Sequence, residues 1–124
     1  LIVIEREVGL EEFMEAGVRF DAEVNAELVV SIFQFASPLH DGALIIREGR
    51  IVSAGCVLPL TTADEIDKTL GTRHRAAMGI TEVTDAVSIV VSEERGVISY
   101  AQHGQIHGNI STDELRRVLK EVLS

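Results

Sequence analysis

The chain has 124 residues, of which 46% are hydrophobic and 25% charged, and this size and composition are typical of one compact domain. Eleven Lys and Arg against twenty Asp and Glu give a formal net charge of −9, which excludes an overall basic field for a nucleic-acid backbone. A single cysteine excludes an internal disulfide framework, and the apolar runs are too short to span a membrane. We therefore expect one domain over residues 1–124 with no nucleic-acid partner.

The first forty residues predict a strand and two helices. The strand covers residues 1–4, a short helix covers 10–15, and Asn25 is a suitable N-cap for a second helix. Three apolar residues at helical spacing share one face of that helix: Leu28, Ile32 and Phe35. We expect this helix to be mostly buried and to be interrupted at Pro38, which lacks the backbone donor that a helix requires.

Two hairpins follow. Residues 43–47 and 50–58 are rich in Ile, Val and Leu and flank a Glu-Gly turn. Residues 87–92 and 97–101 flank a second turn, which contains a glycine that can adopt positive φ. Because hairpins are antiparallel and amphipathic helices accompany them, the sequence favours one sheet covered by helices.

Three further helices are predicted. A weak one covers residues 62–70 and a stronger one covers 73–83, with Gly71 ending the first and Thr72 capping the second. The C-terminal helix starts at the capping box of residues 111–114 and continues with apolar residues at helical spacing.

The loop before the first hairpin carries reactive side chains. In the stretch Pro-Leu-His-Asp-Gly-Ala at residues 38–43, His40, Asp41 and Gly42 lie at the junction between a loop and a buried strand. Such junctions present side chains in clefts. The alternative is that Asp41 and Gly42 form only a turn in which the aspartate is satisfied locally.

A second unusual stretch lies at residues 71–77, where Arg73, His74 and Arg75 form the only locally basic patch of an acidic chain. Arginines at a helix N-terminus oppose the helix dipole, and a bound polyphosphate would remove that conflict. Ordinary surface ion pairs are the alternative. Near the second hairpin turn, Glu93 and Glu94 could hold a divalent cation or simply face solvent.

At these residues the sequence resembles the diadenylate cyclase (DAC) domain of the CdaA type. Its two signatures, Asp-Gly-Ala and Arg-His-Arg, stand at residues 41–43 and 73–75, and the similarity covers essentially the whole chain. The resemblance implies an α/β fold: a single domain with a mixed, mostly antiparallel sheet flanked by helices. It also implies the cytoplasmic domain of a bacterial membrane-anchored protein. The opening at Leu1, already within a strand pattern, favours a fragment that lacks the N-terminal membrane segment.

The resemblance further implies that two ATP molecules are condensed to cyclic di-AMP and two pyrophosphates with a divalent cation, Mg²⁺, Mn²⁺ or Co²⁺. Two protomers, each holding one ATP, would meet as a stable or transient face-to-face homodimer. Asp41 would be the catalytic residue and would contact the metal together with His40 and Glu94. The nucleotide-binding residues would be Leu39, Gly42, Ala43, Leu58, Gly71, Thr72, Arg73, His74, Arg75 and Ser92. At Val57, where some relatives place an aromatic residue that stacks on adenine, this chain has none.

Two other classes of function stay open at this stage. A catalytically inactive nucleotide-binding sensor or scaffold would keep the pocket and lose the chemistry. A purely structural interaction domain would use both signatures as ordinary turns and caps. The two differ from the enzyme in whether ATP binds and whether product forms.

Overall fold

The structure, a computed structural model, describes residues 1–62, 71–92 and 95–123. Its elements in chain order are β1 (Ile2–Ile4), α1 (Glu11–Met14), β2 (Val18–Glu23), α2 (Ala26–Ile32), β3 (Ala43–Arg47), β4 (Arg50–Cys56), α3 (Thr72–Val83), β5 (Val87–Val91), β6 (Ile98–Gln102), β7 (Gln105–Ile110) and α4 (Thr112–Leu123). The strands of these residues form one seven-stranded sheet in the order β2-β4-β3-β1-β5-β6-β7. Only the β1–β3 pair is parallel among these neighbours, which confirms the predicted mixed, mostly antiparallel sheet.

The strands alternate their side chains between two apolar layers. In β3, Ala43 and Ile45 belong to the layer under α1 and α3, whereas Leu44 and Ile46 belong to the layer under α2. This alternation is the period of two that a strand buried on both faces must follow. The α2 layer is the smaller of the two clusters, and α2 itself contributes one buried residue, Ile32.

The loop after β4 is pressed against α3. A Cβ added at Gly79 would lie 1.9 Å from the carbonyl oxygen of Pro59, so only glycine fits at this helix position. The Thr61 N–H donates to the carbonyl of Arg75 at 3.0 Å. These contacts fix residues 57–61 beside the first turns of α3.

An ion-pair network joins the segment after β1 to the end of β3. Arg47 donates to both carboxylate oxygens of Glu5, at 2.6 and 2.8 Å, and to Glu11 at 2.5 Å. Burial alone would raise the pKa of Glu5, but hydrogen bonds from Arg47 and from the Leu10 N–H outweigh it and leave that pKa below its ordinary value. The network therefore stabilises the fold most when Glu5 is ionised.

Several predicted helix boundaries need correction. The Asn25 cap is confirmed, since its side chain accepts from the Leu28 N–H at 2.8 Å. The helix that it starts ends at Ile32, however, so Phe35 does not share its face, and the expectation of a mostly buried helix was wrong. The predicted cap Thr72 is the first helical residue, and Gly71 occupies the N-cap position. The predicted helix over 62–70 lies outside the described residues apart from Thr62.

Both hairpins are confirmed as β3–β4 and β5–β6, although β4 ends at Cys56 rather than at residue 58. The start of α4 is confirmed by a hydrogen bond of 3.1 Å from the Glu114 N–H to Ser111 Oγ. The strands β2 and β7, at the two ends of the sheet, were not predicted.

Within the described ranges, every helix is too short or too polar to cross a bilayer.

Candidate functional site

Separate stretches of the sequence meet at one end of the central strands. Parallel pairing of β1 with β3 sets Ile2 opposite Leu44, and antiparallel pairing sets Ile2 also opposite Ile89, two residues before the end of β5. The last residue of β4, Cys56, pairs with the first residue of β3, Ala43. The same end of the sheet therefore gathers the loop over 38–42, the loop over 57–61 and Ser92.

An apolar cleft of about 540 Å³ opens at this end, on the face that α2 covers. Its walls come from β1, β5, α2 and the loop after α2, and two polar side chains line it, His40 and Arg73. The volume falls within the roughly 300–1,000 Å³ of small-molecule clefts. The structure thus brings one residue of each predicted motif to a common cavity.

Gly42 has a structural role that the sequence did not reveal. Its φ is +104°, and an added Cβ would lie 2.8 Å from the carbonyl carbon of Gly55 and 3.0 Å from the carbonyl oxygen of Cys56. The side chain of Leu39 lies against Gly55 from the same loop. Because the backbone at Gly42 packs this closely against the backbone of Gly55 and Cys56, only a residue without a Cβ fits at the start of β3.

Asp41 and His40 present the polar groups of this loop. Asp41 is exposed, and its carboxylate has no hydrogen-bond or ion-pair partner among the described residues. His40 is half-buried, and its Nδ1 lies 2.8 Å from the carbonyl oxygen of Ser37. Among the residues that the structure describes, no three His, Cys, Asp or Glu side chains form a metal-binding group. The predicted third metal contact, Glu94, lies outside them.

The start of α3 is poor in negative charge. Gly71 gives no side-chain cap, and the first turn contains no acidic residue. Arg73, His74 and Arg75 are half-buried, and Thr72 is exposed. Burial lowers the pKa of His74, and the positive charge of Arg73 lowers it further. His74 is therefore largely neutral at pH 7, and the cationic charge of this turn comes from the two arginines.

The remaining predicted residues border the same region. The side chain of Leu58 is buried against α3, so only its backbone could contact a ligand. Its neighbour Val57 is 72% exposed. Ser92 is half-buried, and its backbone closes the turn between β5 and β6 through the Val97 carbonyl and the Gly96 N–H, each at 2.9 Å.

Sequence reasoning missed one contact next to the site. Phe35 was assigned to the buried face of a helix, yet its ring is 88% exposed and lies 5.3 Å from the His40 ring, centroid to centroid. The helical spacing of Phe35 concealed this position, because the spacing does not show where the helix ends.

Nearly the whole chain is similar to known proteins. Residues 1–106 match the family described as DisA bacterial checkpoint controller nucleotide-binding. Cyclic di-AMP synthase CdaA of Bacillus subtilis is 45% identical over 97% of the chain, and a diadenylate cyclase of Listeria monocytogenes is 44% identical over 99%. The match covers 44% and 45% of those proteins, so the chain spans about half the length of the curated relatives it matches.

Solved structures agree with these similarities. The crystal structure of DacA from Staphylococcus aureus superposes with a TM-score of 0.96 at 43% identity, covering 98% of this chain and 81% of that one. A hypothetical membrane-spanning protein from Bacillus cereus superposes with a TM-score of 0.84 at 45% identity, covering 89% of this chain and 54% of that one.

Proposed function

The chain belongs to the DisA bacterial checkpoint controller nucleotide-binding family, and from that premise we propose that it is the catalytic domain of a diadenylate cyclase. The reaction condenses two ATP molecules into cyclic di-AMP and two pyrophosphates. The observation that carries the proposal is that His40 and Arg73 line one cleft. In this reaction the loop that contains His40 and Asp41 and the first turn of α3 must contact the same triphosphate. The names of the relatives support the same activity.

The chemistry is two in-line displacements. The 3′-hydroxyl oxygen of each ATP bonds to the α-phosphorus of the other, the bond from that phosphorus to the bridging oxygen breaks, and pyrophosphate leaves with the electron pair. Asp41 accepts the hydroxyl proton, for which an exposed carboxylate without a competing partner is suited. Arg73, Arg75 and N–H groups in the first turn of α3 bind the phosphates. The backbone of Leu58 contacts adenine.

A divalent cation fits the donors present. His40 offers one imidazole nitrogen and Asp41 one carboxylate, and phosphate oxygens of the substrate would complete the coordination, as is common for Mg²⁺. When bound, Mg²⁺, Mn²⁺ or Co²⁺ would neutralise charge on the triphosphate and stabilise the departing pyrophosphate. We assign Glu94 to the same cation on the basis of the resemblance alone.

The test is incubation of the chain with ATP and Mn²⁺, followed by chromatography and mass detection of cyclic di-AMP. Asp41→Asn should lower turnover by at least about 100-fold, the scale typically lost with a positioned acid or base. Asp21→Asn is the matched control, since it removes the same charge from a surface ion pair with Arg50, and its activity should stay within about twofold. ATP binding without product would identify a sensor, and no binding at all a structural domain.

The assembly follows from the reaction. One chain carries one Asp-Gly-Ala and one Arg-His-Arg signature, so two copies must meet face to face before both bonds can form. Specific activity should therefore rise with protein concentration while encounter limits the rate. A specific activity that stays flat down to concentrations at which sedimentation shows only monomer would contradict this homodimer.

We also propose that the whole protein is membrane-anchored, on the strength of the membrane-spanning relative from Bacillus cereus.

A further inference from the structure

The loop that leads from α2 to β3 leaves a large aromatic side chain in solvent. Phe35 is 88% exposed although it follows α2 by only three residues. A buried phenylalanine typically contributes about 1.5–3 kcal/mol relative to an exposed one. The fold therefore gains little from this ring, and its packing does not explain its position.

The ring of Phe35 instead contacts His40. Their centroids are 5.3 Å apart and their planes are tilted by 44°, and both residues line the cleft that Arg73 also lines. Aromatic rings at this separation attract each other by about 0.5–1.5 kcal/mol beyond area burial. The Phe35 ring therefore lies against one face of the imidazole and limits rotation of the His40 side chain toward that face.

A backbone carbonyl group contacts the edge of the same imidazole ring. His40 Nδ1 lies 2.8 Å from the carbonyl oxygen of Ser37, and the His40 N–H donates to that oxygen at 3.3 Å. A carbonyl oxygen only accepts, so Nδ1 must carry the hydrogen. In the neutral ring the lone pair is then on Nε2.

The Ser37 turn is itself braced. Its hydroxyl accepts from the Leu39 N–H at 3.1 Å, and its N–H donates to the carbonyl of Gln34 at 2.9 Å. The acceptor for Nδ1 is thus a fixed point in the loop rather than a mobile side chain.

We propose that Phe35 and the Ser37 carbonyl are positioning groups that hold His40 as its Nδ1–H tautomer, leaving Nε2 as the nitrogen available to a divalent cation in the cleft. The assignment of a cation to His40 rests on the proposed function, whereas the tautomer rests on the contacts alone. Partners of this kind orient a metal-binding histidine, and their loss commonly lowers metal affinity by about 10–100-fold.

Two substitutions isolate the role of Phe35. Phe35→Leu keeps an apolar side chain and removes the ring, and Phe35→Ala removes both. Because the ring is exposed, both variants should unfold within a few degrees of the parent. Val83→Ala is the matched control: it shortens an exposed apolar side chain at the far end of α3 and should change neither the tautomer nor cation binding.

The first measurement uses the cation-free protein. Long-range ¹H–¹⁵N correlation spectra of histidine-labelled protein distinguish the two tautomers, and His40→Gln assigns the signal. We expect the Nδ1–H form in the parent and a mixture of forms in both Phe35 variants. A parent spectrum that shows the Nε2–H form, or Phe35 variants with the parent spectrum, would overturn the proposal.

The second measurement follows Mn²⁺ by electron paramagnetic resonance in the presence of α,β-methylene ATP, which cannot turn over. The Mn²⁺ dissociation constant should rise about 10-fold in both Phe35 variants. With ATP as substrate, KM for the Mn²⁺ complex should rise more than kcat falls. Unchanged Mn²⁺ binding contradicts the proposal. If the tautomer and Mn²⁺ results hold while no cyclic di-AMP forms in the parent, the proposed function fails and the positioning role stands.

Discussion

Gly79 offers a direct test of how α3 is seated against the loop after β4. In Gly79→Ala the new Cβ would lie 1.9 Å from the carbonyl oxygen of Pro59 and 2.7 Å from its carbonyl carbon, whereas real Cβ atoms essentially never approach within 3.0 Å. The obstacle is backbone, so the loop must retreat from the helix by more than about 1 Å. Overpacking of this kind typically costs about 1–3 kcal/mol and occasionally more.

Two further effects accompany the substitution. Alanine in a helix interior is intrinsically better than glycine by about 1 kcal/mol. Retreat of the loop breaks the hydrogen bond from Thr61 to Arg75, which is worth about 1 kcal/mol, and uncovers part of Leu58. The propensity gain and the hydrogen-bond loss nearly cancel, and we expect a net loss of about 1–3 kcal/mol, or a melting temperature lower by about 3–15 °C.

Urea unfolding followed by circular dichroism measures this loss. Gly108→Ala is the control, because a Cβ there makes only an ordinary contact of 3.6 Å with Ser99, and its midpoint should change little. ATP affinity should fall with stability in Gly79→Ala, since the displaced loop carries Leu58. A Gly79→Ala protein as stable as the parent, or more stable through its better helix propensity, would refute this account of the contact.

Three other predictions concern single substitutions. Gly42→Ala should cost at least about 2 kcal/mol in urea unfolding, because it combines a φ of +104° with a backbone clash at Gly55. Asn25→Ala should cost about 1 kcal/mol in the same assay by removing the cap of α2. The folded-state pKa of Glu5 is lowered, so its pairing with Arg47 stabilises the protein above the unfolded value near 4.5 and is lost as pH falls through the folded value. Glu5→Gln should be less stable at pH 7 and lose less stability between pH 6 and pH 3, as thermal scans across pH would measure.

The sequence predicted the central strands because their signals are local. β3 and β4 are dense in Ile, Val and Leu around a short turn, and this pattern specifies a hairpin without help from the rest of the chain. β7 reads Gln-Ile-His-Gly-Asn-Ile and has little strand propensity, so its pairing with β6 comes from tertiary contact. β2, in contrast, alternates Val18, Phe20 and Ala22 with polar residues, which is the local pattern of a half-buried strand.

The two motifs of the candidate site are visible in the sequence, but their arrangement in space is not. The motifs single out His40 and Arg73, whereas their position at one cleft depends on β1 lying between β3 and β5 in the sheet. No local pattern encodes that strand order. The close packing of Gly42 against Gly55 could not be predicted for the same reason, since the two residues are distant in the sequence.

The charge distribution explains how an acidic domain could hold a polyanion. A net charge of −9 repels ATP at distances up to the Debye length, about 8 Å at physiological salt, so attraction must come from groups in contact with the phosphates. In the proposed site those groups are the two arginines at the start of α3, where burial lowers the pKa of His74 and so disfavours a third positive charge. A neutral His74 can accept a hydrogen bond or donate one without adding charge. The long-range repulsion is then best relieved before encounter, when a divalent cation already bound to ATP has cancelled part of its charge.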